Sequence, residues 1–171
     1  NLMRGVIDYG TGYRVKSLGR PAAGKTGTSN DQMDAWFIGY TPELVCGVWG
    51  GFDLKKTIGK HETGGRVSAP TWLYFMQPYL AYLDQLKYEQ LVAEAKAEAE
   101  ELGIEYIAPE ELPPLDFQVP DGVDPYWVDR TTGILSEAGA ENVVREYFVT
   151  GTEPPQAAYD QGASSYLEST E

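Results

Sequence analysis

The residues best suited to chemistry stand together at Lys25-Thr26-Gly27-Thr28. On a strand, the two-residue side-chain period sends the Thr26 and Thr28 hydroxyls to one side, where they can hydrogen-bond a carboxylate attracted by the Lys25 ammonium. Gly27 has no side chain to obstruct a ligand. A peptide can therefore lie along the edge as an added strand. The N–H of Thr28 can then face a developing oxyanion, a contribution worth roughly 10^2 to 10^3 in rate.

The same residues close a second pattern. Gly19-Arg-Pro-Ala-Ala-Gly24-Lys25-Thr26 matches G-x-x-x-x-G-K-[ST], the phosphate-binding P-loop expression, at every fixed position. That loop needs an apolar strand before it and a helix after it, so that helix N–H groups and the lysine converge on phosphate. Tyr13 to Leu18 is only half apolar, and Gly27-Thr-Ser-Asn-Asp31 opposes a helix. The flanks favour a strand edge over a nucleotide site.

The elements that would position Lys25 to Thr28 can be read along the chain. Leu2, Met3, Val6 and Ile7 at helical spacing predict the last turns of a helix, stopped by Gly10-Thr-Gly12. Strand texture follows through Lys25–Thr28, Ala35–Tyr40 and Leu44–Phe52, with Thr41-Pro-Glu43 short enough for a hairpin. Three antiparallel strands are the economical arrangement. Asp53 to Arg66 reads as a loop, and Ser68-Ala-Pro70 opens a helix with an apolar stripe at Trp72, Phe75, Met76 and Tyr79. Pro78 is expected to end that helix and begin another, reaching Leu102 with a Glu-rich solvated face. Residues 109–125 contain five prolines and read as a linker or extended crossing segment. A hairpin is expected around Asp129 to Gly133 and a strand or helix end at Arg145–Val149; the last fifteen residues are expected to fray.

Composition narrows the partners. A formal net charge of -13 over 171 residues disfavours nucleic acid, which needs a basic footprint. Charge is uneven, however. Residues 1–30 hold five basic side chains against Asp8 alone, whereas residues 81–171 hold four basic and twenty acidic ones. The basic end can receive an anion. The longest apolar run, Leu44 to Phe52, is too short and Gly-rich to span a bilayer, and Asn1-Leu-Met-Arg-Gly5 has no signal-peptide form. The chain is expected to begin within a larger protein. The single cysteine, Cys46, excludes an internal disulfide and reads as a buried inert thiol. His61, the one histidine, reads as an exposed loop residue and cannot make a zinc site by itself. Trp36, Trp49, Trp72 and Trp127 read as core anchors rather than sugar platforms.

Several blocks surround the lysine motif. They are Arg4-Gly-Val-Ile-Asp-Tyr-Gly-Thr-Gly12, Gly19-Arg-Pro-Ala-Ala-Gly-Lys-Thr-Gly-Thr28, Asp34-Ala-Trp-Phe-Ile-Gly-Tyr-Thr-Pro42, Gly47-Val-Trp-Gly-Gly-Phe-Asp53, Glu62-Thr-Gly-Gly65 and Ala69-Pro-Thr-Trp72. Block after block, the chain resembles class A penicillin-binding proteins. The likeness is dense over residues 1 to about 80 and sparser from Val119 to Pro155. Lys-Thr-Gly is one of three motifs of such enzymes, beside Ser-x-x-Lys and a Ser-x-Asn element.

The resemblance implies an α+β fold, an antiparallel sheet with flanking helices, as the C-terminal piece of a penicillin-binding or serine β-lactamase-like transpeptidase domain. Residues 1–80 would belong to that domain, 81–108 would form an acidic helical extension, 109–125 a linker and 126–171 an appendage. The implied activity is serine acyl transfer from D-Ala-D-Ala stem peptides of peptidoglycan, with β-lactams as mimics and no cofactor or metal. Lys25, Thr26, Gly27, Thr28 and Ser29 would bind substrate, with the Thr28 N–H in the oxyanion hole and Gly64 and Gly65 bordering the cleft. The resemblance also implies an extracytoplasmic, periplasmic-face location through an N-terminal anchor outside this chain.

None of the seven serines is followed by Lys three residues on or by Asn two residues on. The nucleophile is therefore expected upstream, in the remainder of the same protein. A nucleotide-binding protein and a noncatalytic binding module built on the same strands are the alternatives.

Overall fold

The computed structural model describes residues 1–113 and 115–154. Contacts group them into two units, Leu2–Phe117 and the residues from Gln118 onward together with Asn1. The division falls inside the proline-rich stretch 109–125.

In the first unit, helix α1 (Leu2–Asp8) and a 3₁₀ helix (Tyr13–Leu18) lead into β1 (Ala23–Thr28). Strands β2 (Asp34–Tyr40) and β3 (Val45–Gly51) complete an antiparallel sheet in the order β1-β2-β3. Register pairs Lys25 with Ile38, Gly27 with Trp36 and Phe37 with Val48. Alternation in β2 decides which face is packed. Ala35, Phe37 and Gly39 are buried, whereas Trp36 and Ile38 are exposed.

Helix α2 (Ser68–Leu102) supplies the other wall of the core. Trp72, Met76 and Leu80, each four residues on, are fully buried beside Phe37, Ile7 and Val15. Burial of each large side chain contributes roughly 1.5–3 kcal/mol. The Trp72 ring meets Phe37 edge-on at 5.5 Å, and its indole N–H donates to the Cys46 carbonyl at 3.0 Å. Gly39 permits this approach, since a β-carbon there would lie 2.7 Å from the Phe37 ring and 2.9 Å from that of Trp72.

Two expectations for α2 require correction. Pro78 does not divide the helix, which runs on through it. Buried Trp72, Met76 and Leu80 hold the turns on both sides against the sheet, and this packing offsets the hydrogen bond that proline cannot donate. The expected apolar stripe is also only half buried. Phe75 and Tyr79 stack on each other at 5.6 Å but remain 49% and 39% exposed. Gly103 ends the helix in the left-handed region at φ 66°, donating to the Ala99 and Glu100 carbonyls. The chain then returns along α2, with Lys96 over the Tyr106 ring at 5.4 Å and the Tyr88 hydroxyl donating to the Pro109 carbonyl at 2.9 Å.

In the second unit, β4 (Val123–Asp129) pairs antiparallel with β5 (Val143–Val149). The turn expected at Asp129–Gly133 is present, but it feeds a single bridge from Val128 to Leu135 rather than a two-stranded hairpin. The full partner of β4 is β5, which settles Arg145–Val149 as strand. The expectation for the final fifteen residues lies outside the described residues.

Candidate functional site

Among the described residues strand β1 has a neighbouring strand on one side only, so one backbone edge of Lys25–Thr28 is open there. The ladder continues past its end, because the Ser29 N–H donates to the Asp34 carbonyl at 3.0 Å. Antiparallel pairs alternate between bonded and non-bonded positions. With Ser29 and Asp34 bonded, Gly27 and Lys25 also bond to β2, while Thr26 and Thr28 turn their N–H and C=O groups to the open edge. The lysine side chain agrees with this assignment: the Lys25 ammonium lies 2.9 Å from the Thr26 carbonyl. Its charge therefore sits at the open edge of the sheet.

The side chains divide between the two faces. Lys25 and Gly27 share a face with Ile38 and Trp36, opposite which a β-carbon on Gly27 would stand 3.2 Å from that of Trp36. Thr26 and Thr28 point to the other face. There the Thr26 and Thr11 hydroxyls lie 2.7 Å apart, and the Thr28 hydroxyl accepts the Gly64 N–H at 3.1 Å. The Ser29 hydroxyl accepts the Asp34 N–H at 2.8 Å, which closes the tight connection to β2. Asp31 and Gln32 in that connection take left-handed φ values of 58° and 53°.

Gly64 and Gly65 are buried behind the strand. A β-carbon on Gly64 would come within 2.1 Å of the Trp36 carbonyl oxygen and 2.6 Å of that of Gly27. One on Gly65 would lie 2.4 Å from the Thr11 carbonyl oxygen. The loop after β3 thus returns to brace β1. It is held at a second point by the Ile58 N–H, which donates to the Gln32 carbonyl at 2.9 Å.

Thr11 is the participant that the sequence reading missed. Its only signal was the Gly10-Thr11-Gly12 punctuation, which reads equally as a helix stop. The nucleotide alternative fails on geometry. Gly19 caps the 3₁₀ helix at φ 74°, Lys25 lies within a strand, and the next turn is the three-residue Asn30–Gln32 rather than a phosphate-binding helix.

The other singled-out residues play lesser parts. His61 is exposed in its loop, with its carbonyl accepting from Arg66 at 3.3 Å. Cys46 is half-buried rather than fully so, and burial pushes its thiol above the ordinary range. Three tryptophans are not core anchors: Trp36 and Trp49 are each 44% exposed and Trp127 is 38% exposed. Trp36 and Trp49 contact one another at 6.3 Å on the face of the sheet away from α2. A separate cleft of about 640 Å³ is lined by Arg20, Glu43, Asp84 and Lys87, with no residue of Lys25–Thr28 in its wall.

No family model matches the chain. Among curated proteins, it is 39% identical over 140 residues to penicillin-binding protein 1A of Rickettsia bellii, covering 82% of this chain and 14% of that protein. The penicillin-binding protein 1A of Aquifex aeolicus is 48% identical over 77 residues, 45% of this chain and 11% of its own length. The crystal structure of penicillin-binding protein 1A from Haemophilus influenzae superposes with a TM-score of 0.61 at 25% identity, covering 89% of this chain and 19% of that one. Fold, edge strand and relatives together define a class A penicillin-binding protein, of which this chain corresponds to one part. More narrowly, each of the relatives named here is a penicillin-binding protein 1A, and the chain spans well under a quarter of its length.

Proposed function

We propose that this chain supplies the carboxylate and oxyanion strand of a peptidoglycan D,D-transpeptidase within a bifunctional cell-wall synthase. The observation that carries the reading is the outward edge of β1. Thr28 turns its N–H to the open side, and Lys25 brings its ammonium to the same edge.

A stem peptide ending in D-Ala-D-Ala would lie along that edge as an extra strand. Its terminal carboxylate would be held by Lys25 and by the Thr26 and Thr28 hydroxyls, with Gly27 leaving room and Ser29 holding the turn beside them. A serine from the remainder of the protein would attack the penultimate carbonyl carbon. The oxyanion would rest on the Thr28 N–H and the nucleophile's own N–H. The peptide C–N bond then breaks, and terminal D-Ala departs with its nitrogen protonated. An amine of a neighbouring strand would next attack the ester carbonyl, form the cross-link and release the serine. β-Lactams would enter by the first step.

The exposed Trp36, Ile38 and Trp49 face supports a sheet that further polypeptide covers, since apolar patches of this kind mark interfaces. In this reading residues 1–80 belong to the transpeptidase domain, and the parent protein is anchored with this part on the extracytoplasmic side. Among the described residues no helix is long and apolar enough to cross a membrane.

The test is acylation of the full-length protein by a fluorescent penicillin. Lys25→Ala should slow labelling roughly ten- to hundredfold, the worth of a charge-assisted hydrogen bond. An unchanged rate would remove Lys25 from the site.

A further inference from the structure

The hydroxyls on the loop side of β1 differ in what they have left to donate. An amide N–H can only donate, so the Thr28 oxygen that receives it from Gly64 at 3.1 Å keeps its own proton for another acceptor. Gly64 is held firmly in that position. Its carbonyl accepts the N–H groups of Ser68 and Ala69 at 3.1 and 2.8 Å, at the start of α2. Its α-carbon presses on the Gly27 and Trp36 backbone too closely for any side chain.

Thr26 has a comparable partner in Thr11, whose hydroxyl lies 2.7 Å away and can act as donor or acceptor. When Thr11 donates, Thr26 also keeps its proton. Thr11 is placed by neighbours on both sides. The Gly12 N–H donates to the Val6 carbonyl at 2.8 Å, and buried Gly65 passes close against the Thr11 carbonyl.

We propose that Thr11 and the Gly64 amide are positioning groups, which commit the Thr26 and Thr28 hydroxyls as paired donors to the substrate carboxylate. The inference rests on the transpeptidase reading. Thr11 acts through Thr26 rather than on substrate itself. An anion in front of Thr26 favours one direction of the Thr11–Thr26 bond, and hydrogen bonds in such a chain polarise and strengthen each other. A neutral ligand gains little from that alignment, so Thr11 governs preference for a charged terminus more than reactivity as such.

The experiment uses the full-length protein and two β-lactams, benzylpenicillin with its free carboxylate and the uncharged methyl ester. Second-order acylation rates give an acid-to-ester preference. Thr11→Val should lower this preference about tenfold, as expected when a hydrogen bond to a charged group is weakened. Thr11→Ser should restore it. In a Thr26→Val background, Thr11→Val should have no further effect, because the two act in series. Thr11→Ala carries the same expectation and guards against misfolding of the branched variant. Equal loss with acid and ester, an unchanged preference, or a further loss in the Thr26→Val background would each overturn the proposal. If neither compound acylates the unaltered protein, the transpeptidase reading falls and this inference falls with it.

Discussion

The amide of Gly64 donates to the hydroxyl of Thr28 at 3.1 Å, across 36 residues of sequence. This bond joins the loop that opens α2 to the strand carrying the lysine motif. The strand of the lysine motif and the core helix therefore share one support.

Gly64→Ala tests that support. The added methyl would collide with the Trp36 and Gly27 carbonyls, which are fixed backbone atoms. Overpacking of this kind costs about 1–3 kcal/mol, and the urea unfolding midpoint should fall accordingly. Gly47→Ala is the control. Its methyl meets only the Ile38 side chain, at 3.7 Å, and should shift stability by less than about 0.5 kcal/mol.

The tryptophans should separate by burial. Trp72→Ala empties the centre of the core and should cost about 3–5 kcal/mol. Trp36→Ala gives up a half-exposed ring pair and should cost about 1 kcal/mol or less. Paired denaturation curves would show the difference, and similar losses would contradict the assignment of the core to the α2 side of the sheet.

Much of the fold was legible because it rests on local patterns. Strand texture through Lys25–Thr28, Ala35–Tyr40 and Leu44–Phe52, with the short Thr41-Pro-Glu43 link, was enough to give three antiparallel strands. Pro78 was misread because its local penalty is visible in sequence, while the Trp72–Met76–Leu80 anchorage appears only once the sheet is in place. The exposed tryptophans were misread for a related reason. Large apolar residues are assigned to a core, but Trp36 and Trp49 occupy the sheet face away from α2. In the candidate site, the strand-edge reading of Lys25–Thr28 was legible, and these residues do lie on the edge strand β1. Thr11 and the amide of Gly64 could not, since their partners are set by tertiary packing.

The second unit should respond to acid through Asp129. Backbone N–H groups of Thr132 and Thr131, with the Thr132 hydroxyl, hold its carboxyl below the ordinary 3.8. A depressed folded-state value stabilises the fold above the unfolded value, and the contribution disappears as pH falls through the folded one. NMR titration of Asp129 should give a midpoint below 3.8, and Asp129→Asn should flatten the acid limb of β4–β5 stability. A midpoint at or above the ordinary value would contradict the turn geometry.

The most direct test asks whether this chain can react by itself. It is incubated with excess benzylpenicillin and its intact mass is measured beside that of the full-length protein. No covalent adduct is expected on this chain, and one adduct is expected on the full-length protein at a serine outside these residues. An adduct on any of the chain's own serines would contradict the claim that Lys25–Thr28 hold a substrate for a nucleophile supplied from elsewhere.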